Sequence, residues 1–127
     1  MKALVFSLLA TALVLCAAEP NAAGKWSGPY SITLPDGTND DGAGLAILKQ
    51  DGGQVTGTIG PDEDNQWKVE KGAIAGNKVT GEATNPSDGN VFKFTLVLAG
   101  DRLKGPFTVV TPDGQTWAGK LDLTRAK

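Results

Sequence analysis

The sequence predicts an all-β fold, an eight-stranded antiparallel up-and-down barrel, from three observations. Apolar residues alternate with polar ones at a period of two, and helical spacing occurs nowhere at useful length. Turn signals built on Gly, Pro, Asn and Asp recur roughly every 8–12 residues, the spacing of an all-β sandwich or barrel. One face of the resulting strands is dry and the other wet, so the sheet must close on itself or fold into two layers. A two-layer β-sandwich is the alternative. Short connections make neighbouring strands antiparallel in either case.

Strands are expected at 25–34, 44–50, 54–60, 67–74, 78–84, 91–99, 102–110 and 115–124. The first sets Trp26, Gly28, Tyr30, Ile32 and Leu34 on the inner face. The second adds Leu45 and Ile47 and leaves Ala46 and Leu48 outside. The third and fourth contribute Val55, Gly57, Ile59, Trp67 and Val69. The next two contribute Val79, Gly81, Ala83, Phe92, Phe94, Leu96 and Leu98. The last two contribute Leu103, Gly105, Phe107, Val109, Trp117, Gly119, Leu121 and Leu123. Outer positions are mostly polar, as at Thr56, Lys68, Glu82, Lys104 and Asp122. Ala46, Leu48, Val97 and Val110 are the apolar outer positions, a patch for a partner or a second copy if they adjoin.

The turns have a chemical basis. Asp51-Gly52-Gly53, Gly76-Asn77 and Gly100-Asp101 supply the positive φ angles of tight hairpins. Pro35-Asp36-Gly37 and Pro112-Asp113-Gly114 join a residue of fixed φ to a glycine. Gly53-Gln-Val-Thr-Gly57, Asn77-Lys-Val-Thr-Gly81 and Asp101-Arg-Leu-Lys-Gly105 repeat at a period of 24, each a hairpin unit of a meander. Gly28, Gly57, Gly81, Gly105 and Gly119 interrupt the apolar face inside strands. They serve curvature and aromatic contact, or they leave room for a ligand.

Residues 1–18 read as a secretory signal peptide. Lys2 precedes an uncharged apolar run that ends in the small residues Ala17 and Ala18. The run is shorter than the ~20 apolar residues of a spanning helix. Residues 19–23 form a short polar leader, cleavage after Ala23 being a second option, and 24–127 form one barrel domain. Leu13-Val14-Leu15-Cys16 is similar in part to a bacterial lipoprotein box, so a lipidated Cys16 is the alternative. The expected location is periplasmic or extracellular, with no stable membrane span in the mature chain.

Composition removes several chemistries. The 127 residues include no His and one Cys, so neither a Cys/His zinc site nor a Ser-His-Asp or Cys-His pair can be assembled from this chain. A formal net charge of −2 gives no basic field for nucleic acid. The inner face holds one hydroxyl, on Tyr30, and no paired carboxylates for glycoside hydrolysis. No catalysis and no cofactor are expected. The acidic stretch 36–42 departs from the EF-hand pattern, because Asp41 stands where Gly is needed and no Glu closes the loop, and 62–65 is a similar cluster. They read as solvated turns, and no metal site is assigned.

Gly24-Lys25-Trp26 opens the first strand and Arg125 ends the last. This resembles the lipocalin and avidin (calycin-type) group of small up-and-down barrels, in which a Gly-x-Trp begins strand one and a basic residue of the final strand covers the ring. Val55-Thr-Gly-Thr58, Val79-Thr-Gly-Glu82 and Trp117-Ala-Gly-Lys120 look like avidin-type strand starts. Ser27-Gly28-Pro29 and Ile59-Gly60-Pro61 depart from that pattern, so biotin binding is not carried over. The chain is also similar to uncharacterised secreted bacterial β-repeat proteins.

These readings converge on a secreted, non-catalytic barrel that binds a small apolar ligand. Trp26, Tyr30, Trp67, Phe94, Phe107 and Trp117 are the candidate ligand-binding residues. The alternative is a filled barrel acting as an interaction module, such as an inhibitor or envelope accessory protein, with loops 60–66 and 85–90 meeting a protein partner. A stack of Arg125 on Trp26 is expected to seal one end.

Overall fold

Tight glycine hairpins and longer proline-containing loops alternate along the chain, and the alternation gives the barrel two unlike ends. The computed structural model describes residues 21–126. The expected signal peptide lies outside the described residues. Nine strands occur among them: β1 (Gly24–Thr33), β2 (Asn39–Asp51), β3 (Gln54–Asp62), β4 (Asn65–Lys68), β5 (Glu70–Ala75), β6 (Lys78–Thr84), β7 (Val91–Ala99), β8 (Arg102–Val110) and β9 (Thr116–Arg125). Both β4 and β5 pair with β3, as two halves of one interrupted wall strand. All pairings are antiparallel, β1 pairs with β9, and β2 pairs with β3, so the sheet closes. The result is an eight-stranded up-and-down barrel, consistent with a calycin-like fold, and not a sandwich. Following paired residues once round from Trp26 returns to β1 about ten residues further on, the stagger that tilts the strands of a closed wall.

Two expectations are corrected. The second strand starts at Asn39, not 44, because Leu34 and Thr38 are bridged backbone to backbone across Pro35-Asp36-Gly37. That tight turn sets Thr33 directly opposite Asn39, so 39–42 belongs to the wall. The inner face of β2 also differs from that expected, although Leu45 is buried as expected. Ala46 pairs with Trp26 and is buried with Leu48, whereas Ile47 faces out and is 40% exposed. The run Leu45-Ala46-Ile47-Leu48 is apolar on both parities, so alternation alone cannot orient it. Small Ala46 opposite the large Trp26 ring decides the register. The expected outer patch therefore loses Ala46 and Leu48.

The expected strand 67–74 is interrupted. The register shifts between Glu70 and Ala73, and Lys71 has a φ of 56°. This bulge inserts one residue, so Val69 and Ile74 both reach the core although they stand five positions apart, on opposite parities of a regular strand.

The inward glycines divide into two uses. A Cβ on Gly81 would come within 2.7 Å of the Phe94 ring, and one on Gly119 would strike the Phe107 ring. These two positions are sockets for the two buried phenylalanines. Gly28, Gly57 and Gly105 instead admit the backbone carbonyls of Asp122, Ile47 and Thr95. Two of them precede proline. At Gly28-Pro29, Gly60-Pro61 and Gly105-Pro106 the paired register lapses, because proline cannot donate to the ladder and the wall bends there.

One barrel end is shut. Trp26 is fully buried, and its indole Nε1–H donates to the Ala22 carbonyl at 2.9 Å. The Arg125 guanidinium lies over the ring, 4.4 Å from its centre. Arg125 also donates to the carbonyls of Ala23 and Asn21 and to the Asp101 carboxylate. Ala22 donates to the Gln50 side chain at 2.7 Å. The segment 21–23 is thereby tied across the barrel base. Val55, Val79, Leu96, Leu103 and Leu123 are likewise essentially inaccessible.

Candidate functional site

Strand polarity sorts the connections. The two-residue glycine hairpins after β2, β5 and β7 lie at the shut end beside Trp26. The connections after β1, β3, β6 and β8 lie at the other end, and each contains or adjoins a proline: Pro35, Pro61, Pro86 and Pro112. A cavity of about 180 Å³ opens there.

The residues of its wall come from strand ends. Tyr30 and Ile32 rise from β1, Trp67 from β4, Phe92 from β7 and Trp117 from β9. Ile59, Val109, Leu121 and Leu123 complete an apolar lining. Phe92 sits 4.5 Å from Phe107 and 5.9 Å from Phe94, centre to centre, in tilted contacts. Phe94 and Phe107 are a step deeper on their strands and are buried. These rings occupy the barrel beneath Phe92.

Of the six residues expected at the site, the cup brings together Tyr30, Trp67 and Trp117. Phe94 and Phe107 do not line it, and Trp26 lies at the shut end. Phe92 lines the cup and was readable from its inward parity. Asn85, Asp88 and Asn90 also line it. Their loop, 85–90, is one that the sequence offers as a protein-contact segment. The signal that places it here is strand direction, since every second connection of a meander shares one end.

That polar loop is internally braced. The Asp88 carboxylate accepts from the Asn90 backbone N–H at 2.9 Å and from the Asn90 and Asn85 side-chain amides at 3.3 and 3.4 Å. The Asn85 backbone N–H donates to the Asn90 carbonyl, and its side chain accepts from the Ser87 N–H. A loop held by its own side chains is a fixed rim.

Tyr30 is the inner-face hydroxyl. Burial pushes its pKa up from the ordinary tyrosine value, and the charges of Asp40 and Asp41 push it further in the same direction. The phenol therefore stays protonated at neutral pH. On the neighbouring strand β9, Trp117 Nε1 is buried and has no hydrogen-bond partner among the described residues. An unpaired buried donor costs about 1–3 kcal/mol.

The acidic turns use their carboxylates locally. Asp36 accepts from the Thr38 N–H and hydroxyl, which holds its pKa below the usual range. Asp62 accepts from the backbone N–H groups of Asp64 and Asn65. Among the described residues no three His, Cys, Asp or Glu side chains converge for a metal. No helix among them is long and apolar enough to cross a membrane. A second concavity, on the outer wall beside Pro29 and Pro106, is open to solvent and lined partly by Lys104 and Lys120.

No protein-family model matches the chain, and no curated protein is significantly similar to it.

Proposed function

We propose that the protein is a non-catalytic binding barrel that takes a small, ring-sized apolar molecule into the open-end cup. The observation that carries this reading is an aromatic-lined cavity at one end of a barrel whose other end is closed by Arg125 on Trp26. Size supports a ring rather than a long chain. A dry cavity of about 150 Å³ accepts benzene, whereas drug-sized ligands use about 300–1,000 Å³. The lipocalin and avidin type of binder, exported to the periplasm or beyond, is proposed on the same footing. Gly24-Lys25-Trp26 with Arg125 and the signal-like residues 1–18 support it.

A partner-binding outer wall has less support. The exposed apolar residues Ile47 and Val97 stand on β2 and β7, which are not neighbours, so they make no single patch.

Titration with phenethyl alcohol, followed by tryptophan fluorescence, tests the reading. A saturable change is expected, because Trp67 and Trp117 line the cup. A linear response without saturation, together with a bare protein mass in native mass spectrometry, would overturn it.

A further inference from the structure

The charges of this barrel are segregated along its axis. Asp36, Asp40 and Asp41 lie at or beside the first open-end connection, and Asp62, Glu63 and Asp64 at the second. Asp88 is on the third and Asp113 on the fourth. These four connections carry no Lys or Arg. The basic residues of the described chain stand on the strands and at the shut end. One of them, Lys25, reaches Glu63 from the outer wall at 3.1 Å. The mouth is therefore acidic although the whole chain is only −2.

The cup beneath that mouth has a second selective feature. Its walls are the rings of Tyr30, Trp67, Phe92 and Trp117, whose faces carry negative electrostatic potential. Asp88 lines the cup itself. Its carboxylate is held in place by Asn85 and Asn90, and it has no basic partner among the described residues. A cavity wall of aromatic rings and a fixed, uncompensated carboxylate at its edge complement the same ligand: an apolar ring bearing a positive charge a few bonds away. An anionic amphiphile, such as a carboxylic acid with its ring in the cup, would bring its charge against the Asp88 rim and the acidic loops around it.

We infer that the cup selects cationic ligands, ring-bearing primary or quaternary amines, with the ring among Tyr30, Trp67 and Trp117 and the ammonium at Asp88. The inference rests on the binding function proposed above and narrows its ligand class. No bond is made or broken. The ammonium donates hydrogen bonds to the carboxylate, or, if quaternary, is held by charge and by the ring faces.

Three near-isosteric probes test it: phenethylamine, phenethyl alcohol and phenylacetate, titrated calorimetrically into the protein at low and high salt. The amine is expected to bind about 5–30-fold more tightly than the alcohol at low salt, a range typical of one cation–π contact with a nearby charge. The advantage should shrink as salt rises, because the loop charges are screened over about 8–10 Å. Phenylacetate should bind least. Asp88→Asn should remove most of the amine's advantage over the alcohol, with both ligands measured on the variant, because the amide replaces the charge at similar size. Circular dichroism shows whether the variant is folded. Equal affinity for amine and alcohol, or tighter binding of phenylacetate, would overturn the inference while leaving the binding function standing. An unchanged amine preference in Asp88→Asn would also overturn the assignment to Asp88. Binding of none of the three would overturn both readings.

Discussion

The guanidinium of Arg125 stands 4.4 Å from the ring centre of Trp26, so the last strand closes the barrel over the first buried side chain of β1. The two residues are also register partners in the β1–β9 ladder. One contact thus joins the chain's first and last strands, completes the wall and shuts one end. The cavity at the other end has a mouth because this end has a floor.

Arg125→Ala should lower stability by about 2 kcal/mol, from the lost cation–π contact and the hydrogen bonds to segment 21–23. Urea unfolding measures this. Arg125→Lys should recover only part of the loss, because an ammonium cannot cover the ring and serve the Ala23, Asn21 and Asp101 oxygens together.

The tryptophans should differ in how they tolerate phenylalanine. Trp26 Nε1–H is bonded to the Ala22 carbonyl, whereas Trp117 Nε1–H has no partner among the described residues. Trp26→Phe breaks a buried hydrogen bond, and Trp117→Phe removes an unpaired donor. The first should cost about 1–2 kcal/mol more than the second by thermal or urea unfolding. Equal costs would contradict the assigned environments.

Gly119→Ala should cost about 1–3 kcal/mol, because the new methyl group meets the Phe107 ring. Adding Phe107→Leu should recover part of that loss, giving a coupling of at least about 0.5 kcal/mol in a double-mutant cycle. Strict additivity would mean that the glycine is there for another reason.

Tyr30 is the single tyrosine, so its ionisation can be read by absorbance. The midpoint should lie above the ordinary value of about 10, raised by burial first and then by Asp40 and Asp41. The sign follows from the neutral phenol being favoured in the folded state. Its contribution to stability is complete below the unfolded-state pKa and is lost as pH rises through the folded one. Asp40→Asn with Asp41→Asn should lower the midpoint without returning it fully, since burial remains.

Most of the wall was legible in the sequence. Strict alternation placed β1, β6, β7 and β8 with their inner faces correct, because in each the apolar or small residues fall on one parity and polar ones mostly on the other. β2 was misread where four apolar residues run together and both parities look dry. The bulge at Lys71 was invisible because nothing in Glu70-Lys71-Gly72 announces an inserted residue. For the cup, parity set Tyr30, Trp67 and Trp117 on the inner face but could not say how deep each side chain sits. Phe94 and Phe107 share that parity, yet their Gly81 and Gly119 sockets draw them into the core. Depth depends on strand direction and tilt, which appear only when the ring of strands is closed.

The most direct measurement is a two-dimensional NMR titration of the three indole N–H signals with phenethyl alcohol and phenethylamine. The account predicts saturable shifts for Trp67 and Trp117, which line the cup, and none for Trp26, sealed beneath Arg125 at the other end. Shifts of all three in proportion to ligand without saturation, or a saturable shift confined to Trp26, would contradict it.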